Sequence, residues 1–357
     1  MPPLLIDHIL GCLLGGAVGD ALGAAIEFDS LGEIYAKHGE NGIQDYVIAY
    51  GRIGAITDDT QMTLFTAEGI IRADNRWHDR GICDPIGVMH RAYLRWLRTQ
   101  GYRSAHPDND LVVQWPGWLV KIRALHSQRA PGHSCLSALQ NGSERSIDNP
   151  INNSKGCGGV MRAAPAGIAF TEPDDAFDFG CKLAAITHGH PTGYLAAGFL
   201  AALICRLLSG TPIRTAVVDT LHFAKTKNNS EELCTAIDRA LSLAGQSAGT
   251  PEAVESLGQG WIAEEALAIA IFCSLVSPDF ENALILSVNH GGDSDSTGSI
   301  TGSIYGALSG YQMIPHRWLS KLEFRDEIET VSNDLYKHFH SSDFSPDSEE
   351  YNRYPPN

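Results

Sequence analysis

Two short runs of the sequence carry more acid than a helix start needs. The first is Gly54-Ala55-Ile56-Thr57-Asp58-Asp59-Thr60. The second is Gly291-Gly292-Asp293-Ser294-Asp295-Ser296-Thr297-Gly298. Each precedes an apolar-periodic stretch, so each sits in a loop entering a helix. N-capping accounts for one oxygen-bearing residue per helix, which satisfies free N–H groups and suits the dipole. It does not account for Asp58 beside Asp59, or for Asp293 and Asp295 with hydroxyls between and after them. Adjacent carboxylates repel, so they need a cation or raised pKa values. Carboxylate and hydroxyl oxygens are hard ligands suited to Mg²⁺, Mn²⁺ or Ca²⁺. Neither run contains Cys or His (His290 lies just upstream of the second), so zinc is disfavoured. No Glu follows at the twelfth position, which excludes an EF-hand. Four carboxylates can hold two divalent cations and leave positions for substrate oxygens and water.

Three further segments carry weaker signals. In Asn152-Asn153-Ser154-Lys155-Gly156-Cys157-Gly158-Gly159-Val160-Met161-Arg162 the glycines precede a helical pattern. They can expose successive backbone N–H groups to a phosphate, though a structural turn explains them as well. The run has neither Walker nor GxGxxG spacing. In Thr187-His188-Gly189-His190-Pro191, histidines in a Gly/Pro turn can bond sugar hydroxyls or phosphates, or simply hold the turn. Glu27 follows the apolar stretch of Gly19-Asp20-Ala21-Leu22-Gly23-Ala24-Ala25-Ile26 and precedes Phe28. A carboxyl in such surroundings can hold a raised pKa and act as an acid or base. A surface or capping role is the plainer alternative.

The elements that must position these residues are helices. Leu5, Ile9, Cys12, Leu13, Gly16 and Ala17 fall on one helical face. The pattern returns over Met62–Ile71, Leu183–Ile186, Leu195–Leu208, Ile262–Val276, Ala283–Val288 and Ile300–Leu308. Only Gln44–Tyr50 looks extended, as a hairpin arm or loop. Gly15, Gly16, Gly19, Gly23, Gly302 and Gly306 sit in or beside helical patterns, where Gly is costly. Their repetition predicts helices crossing at close range, or backbone approaching a ligand. Residues 100–155 are polar and turn-rich, as surface helices and loops over the core would be. No internal repeat is visible. The expectation is one all-α domain over residues 1–340, followed by a polar, poorly ordered tail over 341–357.

Composition bounds the function. The 42 acids against 26 bases give a net charge of −16, and no basic cluster offsets it. That disfavours general nucleic-acid binding, which draws its affinity from basic contacts to phosphate. The eight cysteines include no CxxC pair and sit mostly in apolar or Gly-rich surroundings, as free thiols in a reducing compartment do. The start lacks a basic n-region, and Asp7 and His8 precede its apolar run, so it does not read as a signal peptide. No stretch reads as a bilayer span. The best candidate, Gly193–Leu208, is interrupted by Arg206. A cytoplasmic location is expected.

Taken together, the segments resemble the ADP-ribosylglycohydrolase family, which includes the dinitrogenase reductase-activating glycohydrolases. The resemblance runs from Gly11 to about Trp318. It rests on GDALG at Gly19–Gly23, TDDT at Thr57–Thr60, GCGGVMR at Gly156–Arg162, THGHP at Thr187–Pro191, GWIAEEALA at Gly260–Ala268 and GGDSDSTG at Gly291–Gly298, in that order. It implies a compact all-helical fold with two Mg²⁺ or Mn²⁺ ions in a central cleft. The implied metal ligands are Thr57, Asp58, Asp59, Asp293, Asp295 and Ser296, with Ser296 where some relatives have Thr. Gly156, Gly158, Gly159, Val160, Met161 and Arg162 are implied to hold the ADP-ribose phosphates and nearby ribose, and His188 to contact the same ligand. No metal position is broken, which argues against a relic that keeps only the fold.

The implied activity is hydrolysis of the bond between C1 of a ribose and a protein side chain, through an oxocarbenium-like state. Glu27, Asp58 and Asp59 are the candidate proton carriers. Arginine linkage is favoured, since a guanidine leaves best when protonated. The alternatives are an ADP-ribosyl-serine or another ADP-ribose conjugate. A different class of alternative is an immunity protein that neutralises an ADP-ribosyltransferase toxin by contact.

Overall fold

A computed structural model describes residues 5–114, 116–142, 146–246, 248–341 and 349–356. Helices Leu5–Gly23 and Ser294–Ser309 lie at its centre, pressed together along a ladder of glycines. A methyl group on Gly15 would stand 2.4 Å from the carbonyl oxygen of Gly302, and one on Gly19 would stand 2.0 Å from that of Gly298. Backbone therefore touches backbone, and no other residue type permits this approach. The close-crossing reading of these glycines holds. At the end of the ladder Gly23 meets the backbone of Ser294 and Asp295, which brings the second acidic run against the end of the first helix.

Around this pair the described residues are almost wholly helical, as expected. Helix Pro191–Leu208 packs on Pro173–Ala185, Ala164–Ala169 and Ala263–Val276. Helix Asp58–Arg80 packs on Pro85–Thr99 and Arg325–His340. Leu5–Gly23 and Pro191–Leu208 are in fact long and apolar enough to cross a bilayer by length and composition. Both are mostly buried inside the protein, which is the position of a core helix. Residues 100–155 form short helices, Asn109–Gln114 and His133–Gln140, with 3₁₀ turns between them, over Pro85–Thr99. The extended piece is shorter and later than expected. Ile48–Ala49 pairs antiparallel with Arg52–Ile53, and Tyr50 and Gly51 turn with positive φ, as a tight hairpin requires.

Part of the stretch 341–357, expected to be a polar, poorly ordered tail, packs on the domain. Residues 342–348 lie outside the described residues, but 349–356 return to the domain. Tyr354 is fully buried, donates its hydroxyl to Asp334 at 2.8 Å, and accepts at its carbonyl from the side chain of Asn75 at 2.7 Å. Arg353 donates to the same Asp334 carboxylate, so a buried aromatic and an ion pair together dock this short segment.

Candidate active site

The first acidic run opens helix Asp58–Arg80, with Thr57 as N-cap and its Oγ1 accepting from the backbone of Asp59. Side chains from elsewhere hold it. Asp20, deep in the first helix, accepts from the backbone N–H of Thr57 at 2.9 Å and of Thr60 at 3.1 Å, and from the Thr60 hydroxyl at 2.5 Å. The N–H of Asp58 donates to the carbonyl of Arg129, and the N–H of Gly132 donates to Asp58 Oδ2. Arg129 is clamped in turn, donating to Glu323 at 2.7 Å and to the Ile56 carbonyl at 2.9 Å. The loop around Ala130 and Gly132, part of the region with no assigned role in the sequence, thereby forms one wall of the cavity.

The second run opens helix Ser294–Ser309, with Asp293 as N-cap. Backbone holds this one. The N–H of Asp293 donates to Gln259 at 2.8 Å. Gly292 has φ +159, and a methyl group there would stand 2.0 Å from the same carbonyl. Asp295 Oδ1 accepts from the N–H of Ser296, and the Ser296 hydroxyl donates to Asp59 Oδ2 at 3.3 Å, joining the two runs. Each cluster of carboxylates thus sits at a helix N-terminus, where the dipole favours negative charge by about 0.3–1 kcal/mol.

That contribution is small against the repulsion. Asp20, Asp58, Asp59, Asp293, Asp295 and Glu27 are all buried. Burial pushes every one of them up. The Asp295 charge adds to this in Asp20, Glu27, Asp58, Asp59 and Asp293. Asp20 reaches about 7 and Glu27 about 10. Carboxylate oxygens of Glu27, Asp293 and Asp295 lie within 4.8 Å of one another. Asp59 Oδ1 and Glu27 Oε2 are buried without a hydrogen-bond partner. No lysine or arginine lines the cavity among the described residues. Crowded hard oxygens, two of them orphaned, with no resident cationic side chain, fit divalent cations of the Mg²⁺ or Mn²⁺ kind.

The opposite wall is the glycine loop. The Cys157 N–H donates to the Trp261 carbonyl, and the Ala263 N–H donates to that of Lys155. Gly156, Gly158, Met161 and His188 join Glu27, Asp58, Asp59, Asp293, Asp295 and Ser296 around a cavity of about 310 Å³. Thr57, Gly159, Val160 and Arg162 do not reach it. Thr57 lies beneath the carboxylates. Gly159 packs on Ala184, and Val160 is fully buried. The phosphate-facing expectation for Arg162 is corrected. Its guanidinium is fully buried behind the loop, stacked on Tyr93, and donates to the Gly158 carbonyl and to Thr187 Oγ1. The Thr187 hydroxyl also shares a hydrogen bond with His188 Nδ1 at 2.8 Å. Burial, with Arg162 nearby, pushes His188 down to about 3. A neutral His188 whose Nδ1 accepts carries its hydrogen on Nε2, a donor suited to a sugar or phosphate oxygen.

Sequence reasoning missed several residues here. Asp20 gave a signal, an acid inside an apolar helical run, but Glu27 alone was drawn from that segment. Cys157 and the 130–135 loop gave none. Phe28 and Trp261 stack at 5.6 Å on the rim, 75% and 38% exposed. An exposed aromatic pair at a cavity mouth is a contact surface, and only folding brings its members together.

The described residues thus form an almost wholly helical protein with a buried acidic cavity, able to take a divalent cation, at two facing helix starts. The ADP-ribosylglycohydrolase family matches residues 1–343, and the chain belongs to it. It is 26% identical to the ADP-ribosyl-[dinitrogen reductase] glycohydrolase of Rhodospirillum rubrum, over 92% of this chain and 94% of that protein. It is 26% identical to the ADP-ribosylhydrolase ARH3 of Bos taurus, over 94% of each. It is 25% identical to the ADP-ribosylarginine hydrolase Tri1 of Serratia proteamaculans, over 96% of this chain and 84% of that one. A solved structure titled ADP-ribosylglycohydrolase-related protein complex superposes with a TM-score of 0.63 at 26% identity, over 94% of this chain and 98% of that one. The chain is therefore a glycosidase-type hydrolase of the ADP-ribosyl hydrolases. None of these names speaks to the toxin-binding alternative.

Proposed function

We propose that this chain removes ADP-ribose from modified protein side chains, with the arginine linkage favoured. The observation that carries the reading is the convergence of five carboxylates, a glycine loop and a neutral histidine donor on one cavity. Asp58, Asp59, Asp293, Asp295 and Ser296 would hold two Mg²⁺ or Mn²⁺ ions, with the N-cap Thr57 supporting them from below. Bound there, such ions supply Lewis-acid polarisation and fix the sugar. The backbone of Gly156 and Gly158 and the Nε2–H of His188 orient the phosphates and ribose. Arg162 acts through that loop by fixing the Gly158 carbonyl and the Thr187 hydroxyl that bonds His188. Glu27, raised first by burial and then by the neighbouring acids, is the candidate to give a proton to the leaving nitrogen as the C1–N bond breaks. Asp58 and Asp59 are the other candidate carriers. The Phe28–Trp261 pair beside Glu27 offers a face on which a planar guanidinium stacks, which favours arginine over serine. The relative named for ADP-ribosylarginine supports the same choice. The eight free cysteines favour a reducing, cytoplasmic setting.

The test is release of free ADP-ribose from an arginine-modified and a serine-modified peptide, each with Mg²⁺ and with EDTA. Metal-dependent release from arginine is the expected result. Release from serine alone would overturn the linkage, and release that resists EDTA would overturn the role of the ions.

A further inference from the structure

The hairpin Ile48–Ile53 precedes the Asp58 run, and its two faces differ. Ala49 and Arg52 oppose each other and face the protein. Ala49 packs with Ala24, Ala25 and Ala55, and Arg52 donates to Glu323 at 2.8 Å. Ile48 and Ile53 oppose each other on the outer face, 69% and 36% exposed. Directly opposed residues share a face, so the two side chains make one apolar patch in solvent. Tyr50, at the tip, is also exposed, and its φ is +49. Asn or Gly fills such a turn without strain, whereas an aromatic residue there is an outlier. Strain of this kind gathers at functional positions. The ring is held in place, with the Arg129 guanidinium over it at 5.3 Å, next to Ala130 of the cavity wall. Burial pushes the Tyr50 phenol up, and the Glu27 charge adds to this, as nearness to the cavity requires. Ala24 and Ala25, on which the hairpin sits, lead directly into Glu27 and Phe28 at the mouth. The hairpin therefore stands on the side of the mouth assigned to the leaving side chain, away from the glycine loop and His188.

We propose that Ile48, Tyr50 and Ile53 form the face on which the modified protein docks, taking an apolar side chain that neighbours the ADP-ribosylated residue. The proposal rests on the reading of the cavity as an ADP-ribosyl hydrolase site, and names how that site holds the polypeptide. The occupant is polypeptide because the phosphates and ribose lie toward the opposite wall, so the chain that carries them leaves the mouth past Glu27 and Phe28. The isoleucine side chains offer no hydrogen-bonding group, so affinity there comes from apolar area removed from water. The consequence is an enzyme that discriminates among modified sites by their apolar neighbours as well as by the ADP-ribose they share.

The experiment measures kcat/KM for release of ADP-ribose by the full chain with Mg²⁺ from three arginine-linked substrates. One is a peptide with leucines flanking the modified residue, one is the same peptide with serines there, and one is ADP-ribosyl-arginine alone. The native chain should prefer the leucine peptide to the serine peptide roughly tenfold, through KM. Ile48→Thr/Ile53→Thr keeps the β-branched shape that suits the strands. Tyr50→Asn places in the turn a residue that tolerates positive φ. The double variant should lose the preference and Tyr50→Asn should reduce it, while both hydrolyse ADP-ribosyl-arginine as the native chain does. Equal rates on the two peptides in the native chain, or the full preference in either variant, overturns the docking face and leaves the hydrolase reading standing. An equal loss on all three substrates assigns the hairpin to the cavity or the nucleotide and overturns the docking face as well. No release from any of the three overturns both the docking face and the arginine reading.

Discussion

The two acidic helix starts present the same chemistry but differ in how far side chains hold them. The Asp58 start hangs on side chains. Asp20 binds its backbone, and Glu323 fixes Arg129, whose carbonyl receives the Asp58 N–H. The Asp293 start is fixed by backbone pressed against backbone, at Gly23 against Ser294 and at Gly292 against Gln259. Hydrogen-bonded side chains can be traded one at a time, since a near-isosteric replacement keeps the shape and loses one charge-assisted bond. Close backbone contact has no such intermediate, because the smallest added side chain already overlaps. The two halves of one site should therefore fail differently.

The sharpest break is Gly19→Ala. The new methyl would stand 2.0 Å from the Gly298 carbonyl oxygen, so the central helices must separate. Overpacking of this kind costs about 3 kcal/mol, against the gain of roughly 1 kcal/mol that alanine brings to a free helix. Denaturant unfolding should show the loss. Unchanged stability would mean that the helices are not held by this contact. Asp20→Asn tests the other start. It keeps the shape but weakens three acceptor bonds, and a cost of about 2 kcal/mol is expected. Metal affinity should fall with it, since Thr57 and Asp58 lose their anchor. Normal Mg²⁺ binding in this variant would remove Asp20 from the support of the site.

The same contrast explains what the sequence made legible. Both runs could be read locally, because adjacent Asp58 and Asp59, or Asp293 and Asp295, exceed what capping requires. The helices could be read from the spacing of Leu5, Ile9 and Cys12, and the glycine ladder from glycines where they are costly. What could not be read lay in partners far apart in the chain. Cys157 meets Asp293 across 136 positions, and Arg129 meets Glu323 across 194. Arg162 came in only with the glycine loop that the resemblance implied, whereas its charge is spent on Gly158 and Thr187 behind the loop. Tyr354 could not be distinguished from its polar neighbours until its partner Asp334 was in place.

A third test uses pH. Asp20 moves from an ordinary 3.8 to about 7 on folding, and Glu27 from 4.5 to about 10. A raised carboxyl keeps in the folded state a proton that the unfolded chain has released. Its contribution is whole below the unfolded value and disappears as pH rises through the folded one. The metal-stripped chain should accordingly lose stability steadily from pH 5 to pH 8. Saturating Mg²⁺ should flatten that slope, because a cation removes the repulsion that raises these groups. A slope of the same size with and without Mg²⁺ would sever the carboxylates from the ion.

The smallest effect has the most informative sign. The Asp295 charge helps raise Asp20, Glu27, Asp58, Asp59 and Asp293, so it is the common source of strain in the cavity. Asp295→Asn removes that charge and keeps the shape, including an oxygen to accept from the Ser296 N–H. The metal-stripped variant should be more stable than the native chain by about 1 kcal/mol at pH 8, the worth of a single pKa unit. It should also lose most of the stabilisation that Mg²⁺ confers, and with it hydrolysis. Substitution of a residue that serves only the fold would lower stability in both conditions. A variant that gains stability while losing the ion marks a carboxylate kept for chemistry against the interest of the fold. If Asp295→Asn is instead destabilised without metal, the cavity is held together by its hydrogen bonds despite the crowding. The Asp293 start would then resemble the Asp58 start more closely than its glycines suggest.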